Sequence, residues 1–185
     1  MADGAQNAGW GLKRGYDAAT KWTPAPDWRE AALARASWSA RPVFGLGQTL
    51  VSGDLAAFRA ALAPDAAEPG LWQVAAGDAL VRIARDRALL VTAQPQAVEP
   101  GWAEGGWAVS PADDAWTVLD LSGESLGALC AQATAADLEA GSPSAALLFA
   151  GVACLLYRTA AETARLHVEA GFAPYVWRWL EGVEG

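Results

Sequence analysis

A chain of 185 residues with 53% hydrophobic and 18% charged residues has the make-up of a single globular domain and not of a disordered segment. Its net charge of −8 excludes nucleic-acid binding driven by phosphate neutralisation. The longest uncharged apolar run, Ala145 to Tyr157, is shorter than the roughly 20 residues a bilayer needs, and Gly151 divides it.

Residues 1–26 show no helical or strand periodicity and read as an extended N-terminal arm, with residues 27–185 as one domain. The arm carries Lys13, Arg14 and Lys21 but no apolar stretch of a secretory leader, so a cytoplasmic protein is expected. Asp27 followed by Glu30 predicts a capping box and a helix after Pro26. Arg41 to Leu50, with Pro42, Gly45 and Gly47, reads as loop or short strand. A clearer helix follows, capped by Ser52, with Leu55, Phe58 and Leu62 on one side and Pro64 ending it.

From Leu71 the period becomes two. ALVRIA and ALLVT around the turn Arg85–Arg87 predict a hairpin, and Gln94–Gly106 a surface loop. Trp107 to Ser110 and Trp116 to Leu121, joined by the turn Pro111 to Asp114, read as a second hairpin. Ser122 is expected to cap a helix bearing Leu126, Leu129, Cys130 and Ala133, with Thr134 and Asp137 opening a further short turn. Ala145–Phe149 and Val152–Arg158 meet at Ala150-Gly151, a two-residue hairpin connection. Arg165, His167 and Glu169 alternate with Leu166 and Val168 in a strand read as half-exposed. Phe172, Tyr175, Val176, Trp179, Leu180 and Val183 lie on one arc of a closing helix, in which Pro174 occupies the first turn. The order is α+β, with largely antiparallel sheets and flanking helices.

No catalytic constellation emerges. His167 is the only histidine and reads as a solvated surface residue. Asp113-Asp114 is turn chemistry. Asp120 is expected to hydrogen-bond in the strand-to-helix turn, with a functional carboxylate as the alternative. Phe44-Gly-Leu-Gly-Gln-Thr lacks the endings of a phosphate loop or dinucleotide fingerprint and reads as a turn. Cys130 and Cys154 lie inside apolar patterns without metal-ligand spacing and read as buried, reduced thiols. Catalytic, cofactor-binding and metal residues are all assigned as none.

Ten tryptophans are many for this length, and Trp10, Trp22, Trp28 and Trp38 crowd the first forty residues. Tryptophan concentrates at cores and interface centres, so the arm points to a partner, with an arm that folds back to cap its own domain as the alternative. The candidate partner contacts are Trp10, Tyr16, Trp22 and Trp177. Trp177 lies about 140° around the last helix from Phe172, off the expected core stripe.

The strand-turn WTVLDLSG, the Asp137-Leu138 pair and the closing GFAPYVWRWLEG resemble, in order and spacing, the gamma chain of heterotetrameric sarcosine oxidase. The resemblance covers about residues 70 to 182 and departs from the pattern at AQATAAD, where a compact Cys-Pro-type turn is expected. It implies a fold similar to the folate-binding domain of glycine-cleavage aminomethyltransferase. It also implies a non-catalytic subunit of a complex that oxidatively demethylates an N-methyl amino acid. In such a complex FAD, FMN, NAD and tetrahydrofolate sit on other chains. The implied partners are larger flavin-binding alpha- and beta-type subunits and a small delta-type subunit. Two alternatives stay open: a free-standing folate-binding aminomethyltransferase-like protein, and an interaction module of another assembly.

Overall fold

A computed structural model describes residues 24–184. Eleven strands and three helices follow one another in these residues. The strands are β1 (Leu33–Ala34), β2 (Ser39–Val43), β3 (Gly47–Gly53), β4 (Ala79–Ala84), β5 (Arg87–Thr92) and β6 (Gly101–Ala103), then β7 (Trp107–Pro111), β8 (Trp116–Ser122), β9 (Ala146–Phe149), β10 (Val152–Ala160) and β11 (Thr163–Glu169). The helices are α1 (Leu55–Leu62), α2 (Leu126–Ala133) and α3 (Ala173–Gly182). The strands form two sheets in the orders β1-β2-β8-β11-β10-β9 and β4-β5-β3-β7-β6, and every paired strand is antiparallel. The α+β expectation with antiparallel sheets and flanking helices holds.

Alternation along the strands sorts the core into layers. In the six-stranded sheet, Leu119, Leu121, Leu156, Leu166 and Val168 point to one face, where Leu126 and Leu129 of α2 and Val176 and Leu180 of α3 cover them. Leu155 and Tyr157 point to the other face and meet Val81, Leu89 and Val91 of the five-stranded sheet. The far face of that second sheet, with Val51, Leu80, Ala88 and Leu90, is closed by Leu55 and Phe58 of α1. The result is helix, sheet, sheet, helix, each sheet burying most of both faces.

Two glycine positions explain sequence signals. Ala150 and Gly151, between β9 and β10, have φ of 49° and 82°, the paired left-handed residues that a tight hairpin turn requires. Gly123, which closes LDLSG, has φ of 132°, and a Cβ there would collide with the Ser37 carbonyl oxygen.

Several expectations are corrected. Beyond Pro26 there is one turn and no helix: Asp27 Oδ1 accepts from Arg29 N at 3.0 Å, and the chain then enters β1. Arg41–Leu50 holds most of β2 and the start of β3. The cap of α1 is Asp54, whose side chain accepts from Ala57 N, and Leu62 is 57% exposed. Within Gln94–Gly106, residues 101–103 form the edge strand β6. The second hairpin does not exist: β7 pairs with β3 and β6, whereas β8 pairs with β2 and β11. The Pro111–Asp114 turn carries the chain from one sheet to the other. Ser122 ends β8, and Ser125 stands at the N-cap of α2. On α3 the buried side chains are Ala173, Val176, Trp177 and Leu180, while Phe172 is 52% and Tyr175 47% exposed. The helix lies on the expected sheet but is rotated, because Trp28 supplies an edge-to-face partner for Trp177 at 5.8 Å.

Candidate functional site

Arg165 and His167, which alternation placed on the exposed face of β11, lie instead between the sheets, and so does Asp120 of β8. Asp120 and Arg165 face each other across β8 and β11, and the guanidinium meets the carboxylate in two bonds, Nε to Oδ1 at 2.9 Å and Nη2 to Oδ2 at 3.2 Å. Burial works to lower the Arg165 pKa, but the hydrogen bond and charge of Asp120 outweigh it and hold it above its ordinary value. Asp120 thus bonds across the sheet rather than in the turn that follows it.

His167 is fully buried and not solvated. Burial, aided by the positive charge of Arg165, lowers its pKa to about 3, so the ring is neutral at ordinary pH. Its Nδ1 lies 2.9 Å from Gln48 Oε1, and its Nε2 lies 3.5 Å from the Tyr157 hydroxyl. Gln48 Nε2 donates to the carbonyls of Asp113 and Trp116, at 3.1 and 3.2 Å, which leaves Oε1 as an acceptor. The network therefore assigns the proton of His167 to Nδ1, with Nε2 free to accept from Tyr157. Burial also pushes the Tyr157 hydroxyl up to about 12, against a lowering by Arg165.

Gln48 is the hinge pin of this arrangement. Its backbone N donates to Asp113 Oδ1 at 2.6 Å, and its carbonyl accepts from Ala112 N at 2.8 Å. One residue of the five-stranded sheet thereby holds the crossover to the six-stranded sheet and His167 within it. Gln48 was read as part of a turn and was missed. The sequence signal was present in the alternation of buried Gln48 with Leu50, but the glycines around it obscured the strand. Such a fully bonded cluster fixes the angle and register of two sheets.

Near this cluster the sheets diverge and leave a cleft of about 510 Å³. Its floor is Leu50, Leu155 and Trp116, and Arg87 and Glu169 stand on its walls. Among the described residues, no group of three or more His, Cys, Asp or Glu side chains is gathered as metal ligands would be. Cys130 and Cys154 are free, buried thiols, each pushed up to about 12 chiefly by desolvation.

Of the four partner-contact candidates, Trp10, Tyr16 and Trp22 lie outside the described residues. Trp177 is corrected: at 4% exposure it is a core residue, enclosed by Trp28 and the sheet beneath. A groove of about 430 Å³ runs beside it between Pro24–Pro26 and Pro174, Arg178 and Glu181. No helix among the described residues is long and apolar enough to cross a membrane.

No protein-family model matches the sequence, and no curated protein matches it. Among solved structures, a chain of the heterotetrameric sarcosine oxidase from Corynebacterium sp. U-96, solved in complex with pyrrole 2-carboxylate, is similar with a TM-score of 0.62. This chain has the fold of a sarcosine oxidase subunit. The two are 23% identical, and the match covers 80% of this chain and 84% of the other. A match over 80% of this chain extends beyond residues 116–182, the segment where the sequence motifs lie.

Proposed function

We propose that this chain is the gamma-type, non-catalytic subunit of a heterotetrameric, flavin-dependent complex that oxidatively demethylates an N-methyl amino acid such as sarcosine. The observation that carries the reading is the fold match to a sarcosine oxidase chain of about the same length, since the shares covered, 80% and 84%, are nearly equal. The motifs WTVLDLSG and GFAPYVWRWLEG support the same assignment, and they fall on β8 and the closing helix α3.

In this reading the chain holds no cofactor of its own. FAD, FMN, NAD and tetrahydrofolate belong to other chains of the complex, the flavins and the nicotinamide cofactor to the larger ones, and the electrons and the released one-carbon unit pass to these cofactors in the cytoplasm. The titratable groups in the interior act structurally: Asp120 and Arg165 neutralise each other, and His167 bridges the sheets through Gln48 and Tyr157. A neutral, desolvated imidazole bonded at both nitrogens is suited to fixing geometry and poorly suited to proton transfer with a substrate.

The test is co-expression of a tagged form of this chain with larger flavin-binding chains of the sarcosine oxidase type from the same source. Retention of yellow, flavin-bearing chains, together with sarcosine-dependent hydrogen peroxide release that falls when this chain is left out, is the expected outcome. A tagged chain that purifies alone and colourless beside soluble larger chains would refute the reading.

A further inference from the structure

The cleft between the sheets opens onto a band of surface that none of the described residues closes. On the five-stranded sheet, register places Arg87 beside Ser52, Ser52 beside Ala108 and Ala108 beside Trp102. These four side chains form one row across β5, β3, β7 and β6, on the face that Leu50 and Leu89 turn towards the other sheet. The row is partly or fully exposed, and Trp102 at its end is 71% exposed. On the six-stranded sheet the facing rim is formed by the pairs Leu148–Ala153 and Glu169–Trp116. Leu148 at the outer end is 62% exposed.

Three observations make this band more than an uncovered edge. Its two ends carry large apolar side chains standing in water, and tryptophan in particular dominates the energetics of interfaces. Its middle is the apolar floor of Leu50, Leu155 and Trp116. Its two walls carry opposite charges, Arg87 and Glu169, and neither forms an ion pair among the described residues. The four-strand row spans about 14 Å at the usual strand spacing, the reach of roughly four to five extended residues.

We propose that this splayed mouth is where a larger chain of the complex seats an extended, alternately apolar segment, with an acidic residue against Arg87 and a basic residue against Glu169. The proposal rests on the subunit reading above and adds the surface and the chemistry of the contact. The opposed charges favour a segment that carries both signs, since a segment of one sign would set like charges together on one wall. Trp102 and Leu148 supply the apolar anchors at its two ends, as alternate side chains do when an extended peptide lies along a groove.

The experiment uses the full chain co-expressed with the flavin-bearing larger chains. The variants are Trp102→Ser with Leu148→Ser, Arg87→Glu, and Leu62→Ser as a control on an exposed apolar residue elsewhere, at the end of α1. The first pair is expected to weaken retention of the larger chains at least tenfold with an unchanged melting temperature. Arg87→Glu is expected to weaken it about fivefold and to reduce its dependence on salt, and the control to leave it unchanged. If the wild-type chain retains the flavin-bearing chains and the first two variants retain them equally, this surface is overturned while the subunit reading stands. If the wild-type chain retains nothing, the subunit reading falls and this proposal with it. Should the double variant melt early, Arg87→Glu, at an exposed position outside the ion pairs of the described residues, decides the matter alone.

Discussion

The two faces of the six-stranded sheet are made from alternate residues of the same strands, yet different forces hold them. The face under α2 and α3 is apolar throughout, with Leu119, Leu121, Leu166 and Val168 beneath Val176, Trp177 and Leu180. The face towards the second sheet mixes Leu155 and Tyr157 with the ion pair Asp120–Arg165 and the bonded chain Tyr157–His167–Gln48. Apolar contact is non-directional, so the helix-covered face tolerates rotation of α3, and Trp177 could replace Phe172 in the core. Hydrogen bonds are directional and costly to leave unmade, so the inter-sheet face permits one register.

The largest effect expected from this contrast is on the apolar face. Trp177→Ala should cost about 3–5 kcal/mol, as large aromatic truncations in cores do, whereas the partly buried Trp179→Ala should cost about 1–2 kcal/mol. Urea denaturation of both variants checks the order. Equal losses would mean that the rotation of α3 described above is wrong.

On the inter-sheet face, Asp120→Ala should cost about 2–4 kcal/mol, because it leaves the Arg165 guanidinium largely buried and unpaired. Adding Arg165→Leu should recover part of the loss, since the stranded charge is then gone. A double-mutant cycle measures the coupling, and strictly additive losses would show that the pair contributes nothing as a pair.

The same face should respond to acid. The folded-state pKa of His167 is about 3, below the ordinary value of 6.5, so the unfolded chain takes up the proton first as pH falls. Stability should be unaffected by this group above about pH 6.5 and decline between there and pH 3. By pH 5 the loss is about 2 kcal/mol. His167 is the only histidine, so urea melts at pH 7.5 and pH 5 isolate its effect from the carboxylates, which titrate lower. A His167→Gln variant should show a flatter profile over that interval. A wild-type profile just as flat would place the imidazole in contact with water.

The smallest effect marks the limit of the apolar face. Phe172 stands at the N-cap of α3 and is half exposed, so Phe172→Ala should lower stability by less than about 1 kcal/mol. A loss as large as that of Trp177→Ala would extend the core to the start of the helix.

Local chemistry alone made much of this protein legible. The two-residue connection Ala150-Gly151 specifies the β9–β10 hairpin, because only a tight turn of left-handed residues joins antiparallel strands so closely. The alternation in RLHVE states which residues share a face, and the turn after LDLSG is marked by its glycine. What alternation cannot state is what lies across each face. His167 and Asp120 read as surface or turn residues because a polar face ordinarily meets water, and here it meets a second sheet whose Gln48 comes from far along the chain. The pairing of β7 and β8 was misread for a related reason. Two strands joined by a short turn pair with each other by default, and only the long-range register, β7 with β3 and β8 with β11, sends them to different sheets. Periodicity and turn geometry are local and were readable from the chain. The partner across a sheet is set by packing at large sequence separation, and the tertiary structure alone decided it.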